Sequence, residues 1–176
     1  MKFSVKHDDL EAIMTSCKFY TNSKHVNPKF HFIQCKIEGG FLKASSADGN
    51  KIRCITVPCE GNDSEFTMPL ISVPKSRIDY PVSVTIEDGK IKFDFMGSSI
   101  TETASKEEFA DFEKFIPEGE TKFAIGFTTK NLQAALSGIK SEYIKIKFFS
   151  PLSACIVEEQ NGNKSIVLPA KVWKEV

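Results

Sequence analysis

The residues of this chain that could do acid–base, nucleophilic or metal chemistry are three histidines and five cysteines, and their spacing speaks against each use. His7, His25 and His31 stand in no arrangement with a serine or cysteine that suggests a nucleophile and its base. "HDD" at 7 to 9 offers nitrogen and oxygen ligands, but three consecutive residues at a helix start are better explained by capping and by the helix dipole. Cys17, Cys35, Cys54, Cys59 and Cys155 are odd in number, and no two have the C-x-x-C spacing of a zinc or redox site; "CITVPC" sets Cys54 and Cys59 within one strand-like run. Reduced, mostly buried thiols are expected. "GETKFAIG" lacks the spacing and the lysine of a phosphate loop. The expectation is a protein that is not an enzyme, with no metal and no cofactor.

Binding chemistry remains. The apolar run "SIVLPAKV" carries Pro169 in its middle, and a proline has no N–H to give a sheet. It marks the point where a last strand stops pairing, as a plain terminus or as one wall of a groove. Charge limits the partners: Lys+Arg and Asp+Glu are both 23, so a strongly basic footprint for nucleic acid is absent and any DNA contact must be local. Hydrophobic residues at 41% and charged residues at 26% fit a globular chain of one domain or one and a half. No apolar run reaches the ~18 residues of a spanning helix, and the start turns acidic at once. A soluble, cytoplasmic protein without membrane contact is expected.

Periodicity supplies the elements. "MKFSVK" alternates as a strand, and "DDLEAIMTSCKFY" sets Leu10, Ile13, Met14 and Cys17 at helical spacing with Asp8 or Asp9 as cap. The runs "KFHFIQCKIE", "FLKASSA" and "KIRCITVP" follow as strands, with His31 on an outward face. "SEFTMPLISVP", a hairpin across Asp88-Gly89 and "SSITETASK" make a second unit, in which "KSRIDYP" is too short for a helix. After "EEFADFEKFIPEGE" comes a third: strand "TKFAIGF", helix "TTKNLQAALSGI" capped by Thr128 or Thr129, then strands in "EYIKIKFFS", "LSACIVEE" and "KSIVLPA". The reading is an α+β fold of three β-α-β-β-β half-modules, the second lacking its helix.

Three stretches in this order resemble the bacterial sliding clamp, the beta subunit of DNA polymerase III. "FLKASSADGNKIRC" is similar to the segment in which a strand ends in an Ala-Thr-Asp-Gly turn before a basic and an aliphatic residue. "EEFADFEKFIP" is similar to the family's Phe-Pro-Asp-Tyr segment with its terminal proline, and "SPLSACIVEEQNGNKSIVLPAKV" to the family's C-terminus. The resemblance implies a shortened, DNA-clamp-like chain, with residues 1–117 a clamp-type domain of two half-modules and residues 118–176 a C-terminal half-domain.

The resemblance also implies a groove for the short peptides of polymerase and other replication proteins. Carried over residue by residue, Phe32, Ala47, Gly49, Asn50, Lys51, Ile52 and Pro117 come from the first part, and Ile166, Leu168, Pro169, Ala170, Lys171 and Val172 from the tail. Ala47 and Ala170 are smaller than the family's usual residues, Asn50 and Lys51 replace a His-Arg pair, and "WKEV" extends past the family's usual end. For double-stranded DNA, met without sequence specificity, the corresponding helices offer Lys18, Lys24, Lys130 and Lys140. The implied function is a processivity factor that encircles DNA as a homo-oligomer; the alternative is a clamp-like peptide-binding module that sequesters or regulates clamp partners without a ring.

Overall fold

A computed structural model describes residues 1–170. The chain forms two compact units, Met1–Pro117 and Glu118–Val176.

In the first unit, strand β1 (Lys2–Lys6) runs without a loop into helix α1 (His7–Cys17). Phe3 and Val5 alternate into the core, and Leu10, Ile13, Met14 and Cys17 continue it at helical spacing, all buried. Asp8 and Asp9 do not cap this helix. The cap position is Lys6, which makes no side-chain cap bond, and both acids lie in the first turn. The unbroken passage from strand to helix leaves no position from which a local acid could fold back. The helix start is capped instead by distant chain: the His7 N–H donates to the Tyr80 carbonyl at 2.8 Å, and the Asp8 N–H to Asp79 Oδ1 at 3.2 Å.

The remaining strands are β2 (Ile33–Glu38), β3 (Phe41–Ala47), β4 (Ile52–Gly61), β5 (Ser64–Met68), β6 (Pro81–Glu87), β7 (Lys90–Phe95) and β8 (Ser98–Thr103). They form one antiparallel sheet in the order β5-β2-β3-β4-β1-β6-β7-β8. The strand expected from Lys29 begins only at Ile33. Asn27 Oδ1 accepts the Lys29 N–H at 3.1 Å, and with Pro28 it winds Pro28–His31 into a 3₁₀ turn. His31 is thereby taken out of the strand, and its Nε2 donates to the His25 carbonyl at 2.8 Å. "SEFTMPLISVP" is paired only as far as Met68, on β2, and residues 69–80 hold no helix or strand. The hairpin between β6 and β7 turns at Asp88 and Gly89, with φ of 50° and 71°, the positive pair that a two-residue turn needs. One face of the sheet closes over α1 around Ile33, Leu42, Met68, Val84, Ile91 and Phe93.

The second unit holds helix α2 (Thr129–Leu136) and strands β9 (Ile144–Lys147), β10 (Cys155–Glu159) and β11 (Lys164–Val167), ordered β11-β10-β9. Thr128 caps α2, its side chain accepting the Asn131 N–H at 3.3 Å. "TKFAIGF" is not a strand here. A single bond, from the Ala170 N–H to the Gly126 carbonyl at 2.8 Å, ties it to the sheet side of the unit, too little for a ladder. β11 stops two residues before Pro169, as the missing N–H requires. Only Cys155, Val157 and Val167 are buried apolar residues among the described part of this unit. No helix among the described residues is long and apolar enough to cross a membrane.

Candidate peptide-binding site

β3 leaves the sheet at Ala47 and returns as β4 at Ile52 through a turn organised by Asp48. Its Oδ1 accepts the N–H groups of Asn50 at 3.0 Å and Lys51 at 3.1 Å. These bonds, the Asn50 N–H first, hold the Asp48 carboxyl below its ordinary pKa. Gly49 takes φ 94°, and a Cβ there would meet His25 Nε2 at 3.2 Å, so only glycine lets the turn lie against that ring. The Lys51 ammonium pairs with Asp48 at 3.5 Å and lies 5.2 Å from the centre of the Tyr20 ring.

Two 3₁₀ turns face this β-turn. Pro28–His31 presents Phe30; Phe112–Phe115, capped by the Asp111 carboxylate on the Glu113 N–H at 3.1 Å, presents Phe112 and Phe115. The rings of Phe30 and Phe112 are 5.7 Å apart. Behind them lies Gln34, fully buried on β2. Its Nε2 donates to the Lys29 carbonyl at 2.9 Å and its Oε1 accepts the Ala110 N–H at 2.9 Å, so one side chain joins both turns to the sheet. Together these elements enclose a cleft of about 490 Å³. Phe112 is its buried floor, Phe115 stands 70% exposed at its lip, and Asn27, Lys29, Asn50, Lys51 and Asp111 form a polar rim.

Of the residues expected in a groove, Ala47, Gly49, Asn50, Lys51 and Ile52 line this cleft. Phe32 and Pro117 do not line it. The winding of Pro28–His31 puts Phe30 in the wall that Phe32 was expected to supply. In the second unit, Ile166 and Leu168 line a separate depression of about 460 Å³ with Asn131, Ala134 and Ala135 of α2, and they stand 69% and 70% exposed. Pro169 and Ala170 follow without lining it; Lys171, Val172 and the tail with Trp173 lie outside the described residues. Sequence reasoning missed Phe30, Phe112, Phe115 and Gln34. "NP" at 27 and "AD" at 110, each an Asx cap ahead of an aromatic turn, were the available signals.

The lysines expected to meet DNA, Lys18, Lys24, Lys130 and Lys140, are all exposed. Lys18 ends a helix whose solvent side carries Asp8 and Glu11 and whose last turn holds no basic residue. Lys24 stands in the loop after α1, Lys130 in the first turn of α2, where the dipole disfavours it, and Lys140 beyond Gly138. His7, Asp8 and Glu11 bring ligand atoms within 4.8 Å of one another. Both His7 nitrogens are already engaged, Nε2 on the Pro74 carbonyl at 2.8 Å and Nδ1 beside Asp8 Oδ1 at 3.2 Å. All five cysteines are free, and burial pushes the Cys35 thiol well up.

No known family profile and no curated protein matches the sequence. Solved structures do match. The chain superposes on the DNA polymerase sliding clamp of Bacillus subtilis with a TM-score of 0.78 at 12% identity, over 96% of this chain and 49% of that one. The Helicobacter pylori beta clamp, solved with 3,4-difluorobenzamide, matches over all of this chain and 53% of its own at a TM-score of 0.69 and 16% identity. The DNA polymerase III beta subunit of Thermotoga maritima matches at 0.56 and 13%. The chain has the fold of a bacterial sliding clamp. It spans about half the length of the B. subtilis clamp. Within the clamp fold, "FLKASSADGNKIRC" makes β3, the turn at Asp48 and the start of β4, and "EEFADFEKFIP" brings Phe112 and Phe115 to the same cleft.

Proposed function

We propose that the protein is a clamp-like binding protein of DNA replication that receives the extended, Leu- and Phe-anchored peptides through which polymerases and other replication proteins attach to clamps. The cleft of the first unit carries this reading. Phe30, Phe112 and Ile52 give an apolar slot for one or two anchors, Phe115 an exposed aromatic lip, and Lys29 and Lys51 a cationic rim for acidic peptide flanks. Ile166 and Leu168 add a second apolar surface of the same chemistry. On this reading Met1–Pro117 serves as a clamp-type domain and the rest as a C-terminal half-domain, the protein acts in the cytoplasm as a processivity factor, and an oligomer surrounds double-stranded DNA without reading its sequence. The acidic solvent side of α1 favours the second reading, a peptide-binding module without a ring.

Calorimetric titration with a synthetic clamp-motif peptide tests the proposal. Binding on the order of micromolar is expected, because a flexible peptide loses conformational freedom and few anchors offset that cost. Ile52→Asp places an unpaired charge in the slot and abolishes binding; Lys130→Ala leaves it unchanged. No heat with the unaltered protein overturns the proposal.

A further inference from the structure

The wall of the cleft that carries Phe30 belongs to residues 22–31, which are wound up by their own hydrogen bonds. The Asn22 N–H donates to the Phe30 carbonyl at 2.8 Å and closes the segment at its neck. Inside it the His25 N–H donates to the Asn22 carbonyl at 3.0 Å, the Phe30 N–H to the Asn27 carbonyl at 3.2 Å, and the Lys29 N–H to Asn27 Oδ1 at 3.1 Å. Three further contacts converge on one side chain, that of His25. Its Nδ1 accepts the Asn27 N–H at 3.0 Å, its ring stands edge-to-face on Phe30 with centres 4.4 Å apart, and its Nε2 edge lies against Gly49. His25 does not line the cleft; Asn27, Phe30 and Gly49, which it touches, do.

The two histidines of this segment are bonded in opposite senses. His31 Nε2 faces the His25 carbonyl at 2.8 Å, and a carbonyl only accepts, so that nitrogen carries a proton. His25 Nδ1 faces an N–H, which only donates, so that nitrogen is bare and the ring is neutral. A second proton leaves the His31 bond as it is. On His25 it turns the acceptor into a donor, which breaks the bond to Asn27 and sets two N–H groups head to head. The groups around His25 do not offset the new charge. Lys24 adjoins it in the loop, Lys29 and His31 belong to the 3₁₀ turn, and the β-turn packed on its ring holds Asp48 and Lys51. Asp48 already accepts the Asn50 and Lys51 N–H groups and pairs with the Lys51 ammonium, which lies by the Tyr20 ring. Across the cleft, Asp111 is engaged by the Glu113 N–H and by Lys114 at 3.8 Å.

We propose that His25 is a positioning residue of the cleft and that its neutral form alone holds the Phe30 wall in place. Protonation frees Asn27, the 3₁₀ turn carrying Phe30 moves off the β-turn at Gly49, and the cleft loses its shape as pH falls. His7, in the core of the same unit, works in the other direction: its bonds are kept when it is charged. Regulation of peptide uptake by His25 rests on the proposed function of the cleft; the response of the loop to protonation does not.

Heteronuclear NMR of the histidine rings in the full chain is the first test. At mildly alkaline pH His25 should show a bare Nδ1 and a protonated Nε2. Between about pH 8 and pH 5, the range over which histidines change charge, the Phe30–Phe112 ring contact should weaken while the amides of Ile33–Glu38 stay protected. Beyond its intrinsic change with pH, exchange of the Asn27 amide should quicken about tenfold, the worth of one hydrogen bond. Asp48, held below its ordinary pKa, stays ionised throughout and takes no part. His25→Phe keeps a ring on Phe30 but has no Nδ1, so its Asn27 amide should exchange fast at both ends of the range. His31→Gln, which retains a side-chain donor, should keep the step. A protonated Nδ1 in the neutral ring, an Asn27 amide that does not respond to pH, or a step that survives in His25→Phe overturns the inference. A clamp-motif peptide should bind about tenfold more weakly at the acid end, where the competent form is the minor one. Equal affinity at both ends would remove the positioning role, whereas no binding at either end would defeat the peptide reading of the cleft and leave the NMR result standing.

Discussion

Gln34 and Ala110, 76 positions apart, are joined by a 2.9 Å bond from the Ala110 N–H to Gln34 Oε1, and the same side chain holds the Lys29 carbonyl from its other end. Both 3₁₀ turns of the cleft hang on this one buried amide. Gln34→Leu keeps the volume but leaves a buried donor and acceptor unpaired, at a cost of about 1–3 kcal/mol. Urea unfolding should show that loss, and peptide affinity should fall with it because the turns are no longer held. Equal stability of the variant would mean that water replaces both bonds.

The two aromatic residues of the Phe112–Phe115 turn should separate stability from binding. Phe112 is buried, so Phe112→Ala should destabilise the unit by about 3–5 kcal/mol. Phe115 is 70% exposed, so Phe115→Ala should leave the unfolding midpoint unchanged while weakening the clamp-motif peptide several-fold. Thermal melts and calorimetry on the two variants check both halves of the expectation.

His7 should make the stability of the first unit depend on pH. The Pro74 carbonyl that accepts from Nε2 raises its pKa most, burial opposes this, and Asp8 and Glu11 raise it further. The Tyr80 and Phe95 rings close the remaining sides. A folded-state pKa above the unfolded one means that this stabilisation is complete below the ordinary histidine value of about 6.5 and is lost as pH rises through the higher folded value. Denaturant midpoints should therefore fall as pH rises above about 6.5, and His7→Gln should flatten the profile.

With zero formal charge and an acidic α1 surface, linear DNA should be held weakly and released as salt rises. If an oligomer encircles the duplex, retention on closed circular DNA should outlast retention on linear DNA at the same salt. Equal, rapid loss from both would leave the peptide-binding module without a ring.

Periodicity made the helices and most strands legible: Leu10, Ile13, Met14 and Cys17 for α1, the Asp88-Gly89 turn, and Thr128 as the cap of α2. What it could not show was settled by single hydrogen bonds. Asn27 and Asp111 each accept one N–H and convert a strand-like or loop-like stretch into a 3₁₀ turn, which moves Phe30 into the cleft in place of Phe32. A turn of four residues carries no repeat to detect. The cap of α1 was illegible for another reason: Asp79 lies 71 positions away in sequence. The stretch from Ala47 to Ile52 was named only through the resemblance to the clamp family, and its residues line the cleft on the local turn that Asp48 organises.

That remote cap has a consequence for the order of assembly during synthesis. Asp8 is synthesised 71 residues before Asp79, so the amide ends of α1 wait for Asp79 and Tyr80 until after β2 to β5 have been made. Early α1 must therefore fray at its start, and β1 must wait for β6 on one flank, so the nascent first half should remain sensitive to protease until residue 87 has emerged and then become resistant in one step.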